Sequence, residues 1–206
     1  IDRSSWDSMI NESVEASFNA ISVDGETSTN DSFIAFNAGS NIQNKYFPFI
    51  KEGLNIVCQY LAKSIARDGE GANCLLEVIV KGTQTELEAL KIAKSIVNSS
   101  LVKTAIHGCD PNWGRIISAA GNSGIVFKLD VVDLYIGDFQ ILRGGRLNKY
   151  DSEKVTRYMR TRMNGKYLVD DIVSITLNLN TGNSKGTAWG CDLSKKYVEI
   201  NSEYTT

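Results

Sequence analysis

Apolar positions recur along this chain in two periods. Residues 4–19 place Trp6, Met9, Ile10, Val14 and Phe18 three to four apart, which predicts an amphipathic helix, and Ser4-x-x-Asp7 offers a capping box at its start. The short run Ile21–Val23 then leads into Asp24–Asp31, eight residues without one large apolar side chain. That is a polar loop between buried segments, and loops held by rigid elements are where sites are built. Ile50, Leu54, Val57, Leu61 and Ile65 mark a second helix, which Asp68-Gly69 should stop before a second polar loop over 68–71.

The stretch from Cys74 to Val80, CLLEVIV, reads as a strand, and Thr83-x-x-Glu86 predicts the cap of a helix carrying Leu87, Leu90, Ala93 and Val97. A loop with Gly108, Asp110 and Pro111 leads to a short helix over 113–120. Strands are expected at Val126–Leu129, Val132–Ile136 and Phe139–Leu142, with Gly137-Asp138 as a hairpin turn. Val155, Met159 and Met163 mark a third long helix. Val173, Ile175, Leu177 and Leu179 alternate with polar residues as a half-buried strand does. Trp189 and the tail Tyr197–Tyr204 suggest two further strands. Without internal repeats or low-complexity tracts, the sum is an α+β fold, with mixed helices and largely antiparallel sheets, rather than a doubly wound one.

Composition changes this picture little. With 206 residues, 42% hydrophobic and 22% charged, the chain reads as globular, not disordered or coiled-coil. Twenty-two basic against twenty-four acidic residues leave a net charge of −2, so neither nucleic acid nor an anionic membrane is an expected partner. The four cysteines at 58, 74, 109 and 191 form no CxxC pair, and Cys58 and Cys74 sit in apolar runs as small buried hydrophobes. Such usage fits a reducing compartment. No stretch approaches the roughly eighteen apolar residues of a membrane span, and the start IDRSSWDSM has no signal-peptide pattern, so a soluble intracellular protein, or the mature piece of one, is expected.

Common catalytic motifs do not fit. Gly69-x-Gly71-x-x-Cys74 lacks the third glycine of a dinucleotide fingerprint and lies in the wrong order of elements, and there is no Walker sequence, HExxH or GxSxG. The sole histidine, His107, cannot make a two-histidine metal site within this chain; in its Gly-Asp-Pro loop it is read as satisfying backbone groups. Asp24, Glu26 and Asp31 miss the EF-hand spacing and read better as a turn rich in side-chain-to-backbone bonds; no metal is expected. Glu70 stands between Gly69 and Gly71, where the backbone can approach a ligand closely and the carboxylate can meet a cationic amine; the alternative is a solvated turn. Tyr197, Val198, Ile200 and Tyr204 are too apolar for a loose tail, and a docked tail would fix Asn201 and Thr206 in place.

Seven segments together resemble a known family. Ser17-Phe18-Asn19, the run from Val23 to Asp31, Arg67-Asp68-Gly69-Glu70-Gly71, Leu101-Val102-Lys103-Thr104-Ala105, Asp110-Pro111-Asn112-Trp113-Gly114-Arg115, Trp189-Gly190-Cys191-Asp192-Leu193 and Tyr197-Val198-Glu199-Ile200-Asn201 are similar to the β chain of ornithine acetyltransferase, the bifunctional glutamate N-acetyltransferase of arginine biosynthesis. The resemblance implies a fold shared with N-terminal-nucleophile aminopeptidases. It implies autocatalytic cleavage into α and β chains, and a ping-pong transfer of acetyl from N2-acetylornithine to glutamate through the N-terminal threonine of β. A threonine with a free α-amino group carries its own base, since an amine of pKa about 8 is partly neutral at cellular pH, so no histidine is required.

By the same resemblance Glu70, Asn201 and Thr206 are substrate-binding residues. The nucleophilic threonine is expected upstream of Ile1, so this chain holds no catalytic residue of its own and needs the α chain, in an α2β2 heterotetramer. No cofactor is implied, with acetyl-CoA as a further acetyl donor. The compartment is cytoplasmic, or mitochondrial or plastid in a eukaryote. Residues 1–72 with the tail 193–206 would form a share of the nucleophile core, and 73–192 a C-terminal α/β subdomain. The rival readings are an aminopeptidase or amidohydrolase of related fold, which would release acyl groups to water, and a non-catalytic structural subunit.

Overall fold

The computed structural model describes residues 1–39, 42–163 and 165–203. Helix α1 spans Arg3–Glu15 and α2 Phe47–Arg67; strand β1 (Leu75–Thr83) follows, then α3 (Glu86–Asn98), α4 (Ser100–His107) and α5 (Trp113–Gly121). Strands β2 (Asp133–Ile136), β3 (Phe139–Arg143) and β4 (Arg146–Leu147) precede α6 (Ser152–Arg162), and β5 (Ile172–Asn178), β6 (Ser184–Cys191) and α7 (Lys195–Glu203) complete the order. The α+β expectation holds. One six-stranded sheet has the order β4-β3-β2-β5-β1-β6, with β1 parallel to β5 and the other named pairs antiparallel.

Alternation along β1 divides the core. Leu76, Val78 and Val80 join Val173, Ile175 and Leu177 of β5 in a large cluster with Ile92, Ile96, Ile106, Val155 and Met159, all of them 2% exposed or less. Leu75, on the opposite face, packs with Ala20, Ala66 and Trp189. The strict alternation read at 173–179 is thus a strand in the middle of the sheet, with its odd-numbered residues in the larger core.

Several local expectations change. Asp2, not Ser4, caps α1: its Oδ1 accepts from the Ser5 N–H at 2.9 Å. Because β1 runs on to Thr83, which pairs with Ser184, the capping box moves two residues to Thr85 and Glu88. Ser99 closes α3 and caps α4, so one residue turns the chain between two helices where the sequence shows no Gly or Pro to mark a boundary. Residues 126–128 form no strand; Val126 is 99% exposed and a 3-10 turn at Leu129–Val131 follows. The described part of the tail, Lys195–Glu203, is helix, not strand. Ser194 Oγ accepts from the Tyr197 N–H at 3.4 Å, and Tyr197 and Ile200 fall three apart on the better-covered side of α7. In α2 the buried stripe is Cys58, Ala62 and Ala66, while Val57, Leu61 and Ile65 face outward. All four cysteines are buried and free, and among the described residues no helix is long and apolar enough to cross a membrane.

Candidate functional site

Three distant segments meet where β6 ends and β1 begins. The first, at 22–25, is held by the Ser22 N–H, which donates to Trp189 O at 2.9 Å, and by the buried Lys103, whose Nζ donates to Val23 O. The second, at 68–74, is tied by Asp192, whose Oδ1 accepts from the N–H groups of Asn73 and Cys74 at 2.7 and 3.1 Å. The third runs from Cys191 into α7 and is joined to the second by Ser194 Oγ, which donates to Gly71 O at 2.7 Å.

The two glycines flanking Glu70 make this convergence possible. A Cβ on Gly69 would lie 2.8 Å from Cys191 Sγ and 2.9 Å from Val23 Cγ1. Gly71, at φ +69°, would meet Lys196 Cβ, Ser194 Oγ and Tyr197 N, each at 2.8 Å. What approaches the glycine backbone closely is therefore the start of α7, not an external ligand.

The structure brings Glu70 and Asn201, both assigned to substrate by the resemblance, into direct contact. The Asn201 amide donates to Glu70 Oε2 at 2.5 Å and to Tyr197 O, four residues back along α7, at 3.0 Å. Both side chains are exposed at the mouth of the cluster. Thr206 and Tyr204 lie outside the described residues. Tyr197 belongs to the same group: burial first, and then the nearby Asp24 and Glu70 carboxylates, push its phenol above the usual tyrosine range. Two carboxylates, a phenol and an amide on one rim can hold a small ammonium group while leaving its other side accessible.

The remaining candidates take structural roles. His107, in the last turn of α4, meets Asp192 Oδ2 through Nδ1 at 2.8 Å; the Asp192 side chain is fully buried and also accepts from Asn73 Nδ2 at 2.9 Å. His107 thus satisfies a carboxylate rather than the backbone groups expected from its loop. In the loop 24–31, Asp24 Oδ1 accepts from the Glu26 N–H at 3.0 Å, and Ser28 Oγ accepts from the N–H groups of Asn30 and Asp31. Those are side-chain-to-backbone turns; among the described residues no group of three or more His, Cys, Asp or Glu is placed to hold a metal ion. Burial raises the Cys74 and Cys191 thiols, with Lys103 pulling Cys191 the other way.

Asp24, Lys103 and Tyr197 were not singled out as site residues by the sequence. Lys103 carried the clearest signal, a lysine in the run Leu101–Ile106 among residues that are otherwise mostly buried.

Comparison with known proteins follows the same geometry. The ArgJ family matches residues 1–206. The arginine biosynthesis bifunctional protein ArgJ of Prochlorococcus marinus subsp. pastoris is 73% identical over all 206 residues, which are 51% of that protein. The chloroplastic ArgJ of Citrullus lanatus is 45% identical over 98% of this chain and 45% of its own length. A crystal structure of ArgJ from Bacillus halodurans superposes with a TM-score of 0.91 at 40% identity, covering 99% of this chain and 95% of that one. The chain spans about half the length of the curated relatives it matches. With a match along every described element and a fold to go with it, the chain belongs to the ArgJ family.

Proposed function

We propose that this chain is the β side of an ornithine acetyltransferase, an acyltransferase of arginine biosynthesis that moves acetyl from N2-acetylornithine to glutamate. The observation that carries the reading is the contact of Glu70 with Asn201 across 131 residues of sequence, in a chain that matches the ArgJ family throughout. Glu70 receives the substrate's ammonium group, with Asp24 adding negative charge on the same rim. Asn201 and Thr206 serve the substrate carboxylate, so the two ends of an amino acid are read by groups of matching chemistry.

The nucleophile is a threonine supplied from upstream of Ile1, acting through its own α-amino group. It takes acetyl from the donor, releases ornithine, and passes acetyl to glutamate as a second half-reaction at the same place. Acetyl-CoA is a further donor for the first half. The working assembly pairs this chain with the α part of the same precursor, as α2β2, in the cytoplasm of a bacterium or an organelle of a eukaryote. That the curated relatives are twice as long, while the solved Bacillus halodurans chain is matched over 95% of its length, supports an enzyme whose polypeptide works in two parts.

The test is a purified complex of both parts assayed with N-acetylornithine and glutamate. Acetylglutamate should form with release of ornithine, and Glu70→Gln should lower kcat/KM roughly ten- to a hundredfold, since a charge-assisted bond of about 1.5–3 kcal/mol is lost. Acetate released to water with no acetylglutamate would replace this reading with an amidohydrolase. Neither product from a folded complex would leave a structural subunit.

A further inference from the structure

Helix α2 is amphipathic in the wrong direction for a free surface. Its inward stripe is small, made of Cys58, Ala62 and Ala66, and four of its polar side chains turn to the rest of the fold. Lys51 pairs with Glu12, Asn55 accepts from Ser13, Lys63 lies 3.8 Å from Glu77 with its Nζ over the Trp189 ring, and Arg67 pairs with the buried Asp171. The outward side instead presents Phe49, Ile56, Val57, Tyr60, Leu61 and Ile65, each 44–69% exposed. Tyr167, itself 46% exposed, donates to Ser64 O at 3.2 Å and extends the apolar strip beside the helix.

Side chains of this size bury about 150–250 Å² each when aromatic, so half-exposed they leave on the order of 500 Å² bare, at the upper end of what soluble monomers show. An apolar strip flanked by ion pairs that all belong to its own chain is the composition of an obligate interface, a core cut in two.

From this we infer that the outer face of α2 docks the remaining half of the ArgJ polypeptide. The inference rests on the two-part reading above and adds the surface that joins the parts. The occupant is chosen by length: the relatives extend to about twice this chain, so a second segment of similar size exists in them to cover the strip. The six outward residues carry no charge, and exposed Glu52, between Phe49 and Ile56, is a single carboxylate beside an otherwise apolar strip.

The experiment co-expresses this chain with the rest of the 73%-identical Prochlorococcus polypeptide, with the photo-crosslinker benzoylphenylalanine at position 60. A crosslink between the two parts is the expected result. In a parallel binding assay, Ile56→Asp with Tyr60→Asp should weaken association by ~100-fold while the helical circular dichroism of this chain is kept, and the milder Tyr60→Ser provides a second variant if the pair misfolds. A crosslink only to a second copy of this chain overturns the inference in favour of self-association. Association with no crosslink and no effect of either variant overturns the surface and leaves the two-part enzyme standing. Wild-type parts that never associate overturn both.

Discussion

The Asp192 carboxylate and the His107 imidazole, 85 residues apart, share a 2.8 Å contact that fastens the end of β6 to the last turn of α4. Asp192 also takes three hydrogen bonds from Asn73 and Cys74, at the foot of the loop that carries Glu70. Asp192→Ala would leave the buried Cys74 N–H and the part-buried Asn73 N–H without this acceptor. We expect a loss of about 2–4 kcal/mol in unfolding free energy by urea titration. His107→Ala should cost less, because that ring is part-exposed and removes only one of the partners. Equal losses in the two variants would contradict the arrangement.

Gly71→Ala tests the close approach of the loop to α7. The residue sits at φ +69°, and an added Cβ would meet three atoms of the helix start at 2.8 Å. Destabilisation of roughly 1–3 kcal/mol is expected from the strained backbone and the displaced helix together. In the assembled enzyme the same variant should raise KM for ornithine-type and glutamate substrates alike, since Asn201 moves with α7. An unchanged melting temperature would mean that the helix start yields without resistance.

The contact of Glu70 with Asn201 can be read by a double-mutant cycle. If both residues bind one substrate, Glu70→Gln and Asn201→Ala should each raise KM, and the double variant should raise it by less than the product of the two. The coupling expected for one hydrogen bond to a charged group is about 1.5–3 kcal/mol, measured from kcat/KM. Strict additivity would place the residues at separate subsites.

Tyr197 gives a pH-dependent signal. Its phenol is raised by burial and by Asp24 and Glu70, so the folded protein holds that proton more tightly than the unfolded chain does. The associated stability is present below the ordinary tyrosine pKa of about 10 and is lost as pH rises through the folded value. Ultraviolet titration should show one phenol ionising later than exposed tyrosines and absent in Tyr197→Phe. Replacing Glu70 by Gln should bring that phenol earlier. No change in that variant would separate Tyr197 from the Glu70 rim.

How far the chain could be read without coordinates depended on what each signal measures. Periodicity found the strand at 173–179 because only one of its faces enters the large core. It misread α2, where both faces are apolar or small: the large residues drew the eye to Val57, Leu61 and Ile65, and the covered stripe was Cys58, Ala62 and Ala66. It misread the tail because four apolar residues in eight suit either period, and the cap that decides the matter is Ser194, outside the apolar run. The pairing of Glu70 with Asn201 lies beyond any local signal. Family resemblance supplied both residues, and Asp24 and Tyr197 joined them only once three segments could be seen to converge.

The sheet order carries a consequence for how this chain reaches its native state. β1 finds its two neighbours in β5, beginning ninety-seven residues after it, and β6, beginning one hundred and nine residues after it. Such pairings close long loops before any contact rewards them, which slows folding. The rim around Glu70 hangs from that last strand, so on an emerging polypeptide it should be among the late features to form. A nascent or truncated chain lacking β6 would present β1 with one edge unpaired, and the rim around Glu70 would not close until β6 and α7 had joined the fold.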